Sequence, residues 1–239
     1  MKTVLITGAN KGIGFETTRQ LAKLGYHVYL GCRSRSHGTE AVEKLNAEGF
    51  NNVDLLEIDV TDLRSIQSAR KELESSIDHL DVLINNAGIA GKQPQNISSC
   101  EMENLRGIFE TNFFGAVQTT QELVNLLKKS DEPRIVNVSS QLASLEIQNS
   151  SQNPNHRIYD AYSASKTALN AFTVLLAREF DGTNFKINSV EPGYTATDLN
   201  NFMGTQSPKQ AAEIIVKYAT LDKEGPTGSF FRKDGKVAW

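Results

Sequence analysis

Tyr162 and Lys166 stand four residues apart, one helical turn, in the run Tyr162-Ser163-Ala164-Ser165-Lys166. If that run is helical, phenol and ammonium share one face. A phenol can give a proton to an oxygen that is gaining charge, and a neighbouring ammonium stabilises the phenolate left behind. The spacing is common by chance and acquires meaning only from its surroundings. Upstream stand Asn85-Asn86-Ala87-Gly88 and Val138-Ser139-Ser140, each directly after a short apolar run. Polar residues at the C-terminal ends of strands face the crevice where open α/β sheets bind ligands.

A second group lies near the start of the chain. Thr7-Gly8-Ala9-Asn10-Lys11-Gly12-Ile13-Gly14 follows an apolar run and opens into a helical pattern. Three glycines there allow a sharp turn and let a pyrophosphate approach the amides of a helix N-terminus. The spacing Gly-x-x-x-Gly-x-Gly differs from the commoner Gly-x-Gly-x-x-Gly. About 20 residues on, where an acidic residue would accept from the ribose 2′-hydroxyl of NAD, the sequence reads Gly31-Cys32-Arg33. A guanidinium suits a 2′-phosphate instead, and Lys11 would add a second positive charge. The reading is NADP(H) rather than NAD(H), against the alternative that Arg33 and Lys11 are ordinary solvated cations.

The elements that must position these groups alternate. Apolar runs Thr3–Thr7, His27–Gly31, Val53–Asp59, Asp81–Asn85, Arg134–Ser139 and Lys186–Glu191 are rich in Val, Ile and Leu, as in strands buried on both faces. Between them Gly14–Leu24, Thr39–Ala47, Leu63–Ser76, Met102–Lys128 and Tyr162–Phe180 carry helical periodicity. The pattern predicts an α/β fold: a Rossmann-type, doubly wound parallel sheet with helices on both faces. Leu145–Arg157, polar and containing Pro154, interrupts the alternation and reads as a surface loop. Near the C-terminus, Gly225–Gly228 reads as a turn, Ser229–Phe231 as a short strand and Lys233–Gly235 as another turn.

Composition narrows the function classes. The 239 residues include 25 Lys+Arg and 28 Asp+Glu, a formal charge of −3, with 39% hydrophobic residues. That balance offers no electrostatic footprint for nucleic acid or an anionic membrane, and no apolar run approaches the roughly 20 residues that cross a bilayer. Cys32 and Cys100 are too few for a disulfide framework, and His27, His37, His79 and His156 lack ligand spacing, so no metal is expected. The expected setting is a reducing cytoplasm.

Taken together, these motifs resemble the short-chain dehydrogenase/reductase family. The resemblance runs from the glycine loop through Asp59-Val60, Asn85–Gly88, Asn112, Ser140 and Tyr162-x-x-x-Lys166 to Pro192-Gly193. Within the family the chain looks most like the monomeric carbonyl reductases, from Asn10-Lys11, Thr111–Gly115, Glu224–Gly228 and the widened interval between Ser140 and Tyr162. The resemblance implies one NADP(H)-binding domain over residues 1–239, with no length left for a separate substrate domain. It implies a catalytic tetrad of Asn112, Ser140, Tyr162 and Lys166: Tyr162 as general acid, Ser140 as donor to the carbonyl oxygen, Asn112 holding a water that links Lys166 to solvent. Ser139 competes for the serine role, and the resemblance favours Ser140. The implied cofactor contacts are the loop residues Gly8, Asn10, Lys11, Gly12, Ile13 and Gly14, then Arg33. Further along come Asp59 and Val60 at the adenine, Asn86, Ala87 and Gly88 on the cofactor-side wall, Lys166 with Tyr162 near the nicotinamide ribose, and Pro192, Gly193 and Thr195. Leu142, Tyr194, Phe202 and Met203 are candidates for the substrate pocket, with core or surface packing as the alternative. The implied activity is reduction of a small-molecule carbonyl to an alcohol by a monomer, a homodimer being the alternative. A cofactor-sensing protein without turnover would keep the fold but be free to lose Tyr162 or Lys166.

Overall fold

The computed structural model describes residues 1–150 and 159–239. Eight strands form one sheet in the order β3-β2-β1-β4-β5-β6-β7-β8. They are β1 (Thr3–Ile6), β2 (His27–Cys32), β3 (Val53–Glu57), β4 (Val82–Asn85), β5 (Arg134–Val138), β6 (Lys186–Val190), β7 (Ser229–Arg232) and β8 (Gly235–Lys236). The first seven run parallel, and β8 returns antiparallel to β7 through a turn at Lys233 and Asp234. Gly235, expected in a turn, therefore opens the last strand.

Every residue of β1, β4 and β5 is buried, as a strand covered on both faces requires. Alternate side chains enter two cores. Val4, Ile6, Val28, Leu30 and Ile84 pack with α1 (Gly12–Lys23), α2 (Arg35–Ala47) and α8 (Pro208–Ala219). Leu5, Leu56, Leu83, Ile135 and Ile187 pack with α3 (Leu63–Ser76), α5 (Gly115–Leu127) and α7 (Asp160–Glu179). Each such Leu or Ile contributes about 2–3 kcal/mol of burial, which anchors the strand ends that carry the polar residues.

Three expectations are revised. The helix expected over Met102–Lys128 is three pieces: α4 (Met102–Phe109), a wide π-type turn at Glu110–Phe114, and α5. The helical period continues across the join, so periodicity alone misses the insertion, and π-turns of this kind concentrate at functional sites. In the stretch expected to be loop, Leu145–Gln148 makes one helical turn, α6, capped by Ser144; residues 151–157 of that stretch, with Pro154 and His156, lie outside the described residues. α2 also begins four residues before its expected start, because Ser34 accepts from the N–H of His37 and caps it.

Candidate active site

The strand order reverses between β1 and β4, so the loops leaving these neighbours diverge and leave a crevice above the sheet. Register places Ile6 beside Ile84, Asn85 beside Asn137 and Val138 beside Val190. Thr7, Asn86, Ser139 and Glu191 consequently emerge along one edge.

On one side of the crevice the glycine loop is held by β4. Thr7 Oγ1 accepts from the N–H groups of Asn86 (3.0 Å) and Ala87 (3.1 Å), while Asn86 Nδ2 donates to the carbonyls of Thr7 (2.8 Å) and Gly8 (3.0 Å). Gly8 sits at φ +62°, and a Cβ on Gly14 would meet Asn86 Nδ2 at 2.5 Å and the Gly8 carbonyl at 2.7 Å. Only glycine fits at either position. α1 then starts at Gly12 with no side-chain cap from Lys11, leaving first-turn amides open for an anion. A cleft of about 700 Å³ beside it is lined by Asn10, Lys11, Cys32, Arg33, His37 and Lys44, among others. The glycine cradle and uncapped helix fit the pyrophosphate of a dinucleotide, and the cleft is lined by Lys11, Arg33 and Lys44 together with Glu16 and Glu40. Lys11 meets Asp198 at 3.1 Å, both side chains exposed, so the glycine loop is bridged to the segment after β6. Arg35 pairs with Glu57 at 2.9 Å, whereas Arg33 has no carboxylate at ion-pair distance among the described residues.

Asp59 accepts from the N–H (2.9 Å) and hydroxyl (2.7 Å) of Thr61, which fixes the turn after β3, and Val60 packs where Gly115 leaves room for it at the start of α5.

The opposite wall carries the Tyr-Lys pair. Tyr162 and Lys166 lie in the first two turns of α7, with Lys166 Nζ 5.9 Å from the centre of the Tyr162 ring. Lys166 is 4% exposed and donates to the Val138 carbonyl at 2.7 Å. Burial pushes its ammonium down to about 8. Tyr162 is pushed up to about 12, first by burial; the hydrogen bond with Ser140 acts the other way, and the charge of Glu191 adds to the rise. Ser140, rather than Ser139, is thus the serine brought to the phenol. Its Oγ also accepts from the N–H of Leu142 at 3.2 Å, while Ser139 is buried beneath it.

Asn112 occupies the π-type turn and is 1% exposed. Its Oδ1 accepts from the N–H of Ile89 (2.8 Å), and its Nδ2 donates to the Ile89 carbonyl (3.0 Å) and to Ser165 Oγ (3.1 Å). The side chain thereby ties the loop after β4 to α7. Gly88 separates it from Lys166, since a Cβ there would lie 3.3 Å from Asn112 Oδ1 and 3.5 Å from Lys166 Nζ.

After β6, the Gly193 N–H donates to Glu191 Oε2 at 2.8 Å. Gln206 Nε2 donates to the Pro192 carbonyl and to Thr195 Oγ1, and Asn200 Nδ2 reaches the Thr195 carbonyl at 2.8 Å. Glu191 is buried, and desolvation raises its carboxyl above the usual range. Tyr194, Phe202 and Met203 are each more than half exposed around this segment. Phe202 holds φ +61°, a conformation costly for a bulky residue. Sequence reasoning passed over Glu191, Asp198 and Gln95. Glu191, next to Pro192-Gly193 at a strand end, carried a usable signal; Gln95, in an aperiodic polar loop, carried none.

A family model described as short chain dehydrogenase matches residues 2–208. The chain is 32% identical to (-)-isopiperitenone reductase from Mentha piperita, covering 98% of this chain and 97% of that one. It is 30% identical to salutaridine reductase from Papaver bracteatum, covering 97% and 94%. Among solved structures, salutaridine reductase from Papaver somniferum superposes with a TM-score of 0.85 at 30% identity, over 98% of this chain and 100% of that one. NADPH-bound carbonyl reductase from chicken fatty liver gives 0.87 at 25% identity, over 100% and 99%. With a parallel sheet that reverses at β1 and β4 and a match spanning most of its length, the chain belongs to the short-chain dehydrogenase/reductase family of oxidoreductases.

Proposed function

We propose that the protein reduces a ketone or aldehyde to an alcohol with NADPH, Tyr162 acting as the general acid. The observation that carries this reading is the Tyr162 phenol beside Ser140, with Lys166 Nζ on the same face of α7 and 5.9 Å from the ring centre. NADPH, when bound, supplies the hydride that adds to the carbonyl carbon. Tyr162 gives its proton to the carbonyl oxygen, and Ser140 donates to the same oxygen as charge builds, a role worth roughly 3 kcal/mol. With Tyr162 at about 12, the phenol is fully protonated at neutral pH, the form an acid needs. Lys166 lowers the cost of the phenolate and restores its proton; Asn112 keeps that path to solvent in place.

The cofactor assignment rests on Arg33 and Lys11 lining the cleft beside α1. Gly8, Asn10, Gly12, Ile13 and Gly14 would take the pyrophosphate, Arg33 and Lys11 the 2′-phosphate, and Asp59 and Val60 the adenine. Asn86, Ala87 and Gly88 would form the inner wall, and Pro192, Gly193 and Thr195 the nicotinamide side. Exposed Tyr194, Phe202 and Met203 favour apolar carbonyl compounds over charged ones. We read the enzyme as a monomer of a reducing cytoplasm, its two cysteines unpaired; light scattering in solution tests the first point. NADPH oxidation over a panel of aldehydes, ketones and quinones tests the activity. Tight NADPH binding with no turnover on any of them would instead indicate a cofactor sensor.

A further inference from the structure

Gln95 lies in the irregular segment between β4 and α4, where polar side chains are ordinarily solvated. It is 1% exposed. Its Oε1 accepts from the backbone N–H of Tyr162 at 3.0 Å, and its Nε2 donates to the Ala90 carbonyl at 2.6 Å. Tyr162 is the third residue of α7, so its N–H is one of the first-turn donors that have no acceptor within the helix. Tyr159, which precedes the helix, offers no side-chain cap. A glutamine 67 residues earlier therefore caps the catalytic helix at the tyrosine itself.

The other end of the same amide holds Ala90. That residue follows Ile89, whose N–H and carbonyl are both bound by Asn112, and lies two beyond Gly88 beside Lys166. One buried amide thus fixes the cofactor-side loop to the backbone of Tyr162. The task needs an acceptor and a donor a fixed distance apart. Asparagine is one methylene short, an ionised glutamate supplies only the acceptor, and methionine supplies neither.

From this juxtaposition we propose that Gln95 is a positioning residue for proton transfer, setting the Tyr162 phenol relative to Ser140 and to the loop that closes the cofactor side. The proposal rests on the reading of Tyr162 as the acid. A displacement of about 1 Å at a reacting group can cost on the order of a hundredfold in rate, and losing this cap frees the first turn of α7 to make such a shift.

The test compares Gln95→Met, Gln95→Glu and Tyr162→Phe in the full-length protein, measuring kcat and KM for NADPH-dependent carbonyl reduction together with the NADPH Kd by fluorescence. Gln95→Met keeps the volume and removes both hydrogen bonds; kcat should fall at least tenfold while the NADPH Kd stays within twofold of wild type. Gln95→Glu, held protonated by burial at this site, keeps the acceptor for the Tyr162 N–H and an O–H donor for the Ala90 carbonyl, and should recover kcat to within threefold of wild type. A wild-type kcat in Gln95→Met overturns the proposal. So does a Gln95→Glu variant as slow as Gln95→Met, or a loss of kcat matched by loss of NADPH binding. If Gln95→Met does not fold, a Gln95→Glu variant slowed tenfold or more still overturns it, and one within threefold supports it. Substantial activity in Tyr162→Phe defeats the acid assignment itself; an inactive Tyr162→Phe beside a normal Gln95→Met defeats only the role of Gln95.

Discussion

Lys166 Nζ lies 5.9 Å from the centre of the Tyr162 ring and donates at 2.7 Å to the carbonyl of Val138, at the end of β5. The ammonium is tethered to the strand that leads into Ser140, so Tyr162, Ser140 and Lys166 are registered by one strand end and one helix turn. Lys166→Arg keeps the charge but replaces a point donor with a planar fork. It should lower kcat by a hundredfold or more, with the NADPH Kd changed far less, as steady-state kinetics and fluorescence titration will show.

The two titrations predict opposite pH trends for stability. Lys166 sits at about 8 in the folded chain against an ordinary 10.5, so between those values the unfolded chain holds the extra proton and this residue's contribution to stability rises with pH. Tyr162 sits at about 12 against 10.0, so across that higher window the folded chain holds the extra proton and its contribution falls as pH rises. In urea melts, wild type should gain roughly 2–3 kcal/mol relative to Lys166→Met between pH 8 and pH 10. A difference that stays flat would mean Lys166 is not desolvated.

Activity should follow Tyr162. Carbonyl reduction needs the protonated phenol, so kcat/KM should be level through neutral pH and fall on the alkaline side, while alcohol oxidation rises there. Glu191 adds negative charge that helps hold the phenol up. Glu191→Gln should move the alkaline limb of both profiles to lower pH.

Lys11 is paired with Asp198, and Arg33 is open to the cleft. Arg33→Asp should shift the kcat/KM ratio of NADPH to NADH by at least tenfold toward NADH. Asp198→Asn releases Lys11 and should lower the KM for NADPH two- to threefold at low ionic strength, with little change for NADH. Added salt should erase that gain, because both side chains are exposed.

Asn112 satisfies both backbone groups of Ile89 from a buried position. Asn112→Leu leaves that N–H and carbonyl without partners, a cost of about 2–4 kcal/mol. Thermal unfolding should show the loss, and kcat should drop along with it because the loop after β4 loses its tie to α7.

The sheet was legible because strands buried on both faces must be apolar throughout. Thr3–Ile6, Val82–Asn85 and Arg134–Val138 therefore announce themselves as runs, and the glycines at 8 and 14 mark where backbone crowds backbone. The π-type turn at Glu110–Phe114 was hidden, since one extra residue scarcely disturbs the apolar period of the flanking helices. Gln95 and Asp198 were hidden for a different reason: each works through a partner distant in sequence, Tyr162 and Lys11, and nothing local marks a loop glutamine as a helix cap. Glu191, at a strand end adjacent to Pro192-Gly193, did carry a local signal, and burial adds that its carboxylate is withdrawn from water.

The most direct measurement is single-turnover oxidation of bound NADPH by a reactive carbonyl substrate in wild type and in Tyr162→Phe, with folding and NADPH affinity checked in the same preparations. Tyr162→Phe removes the proton donor and leaves the cofactor cleft intact. The rate of hydride transfer should fall by at least a hundredfold with NADPH affinity changed far less. A mutant that oxidises NADPH at the wild-type rate would contradict the assignment of Tyr162 as the acid.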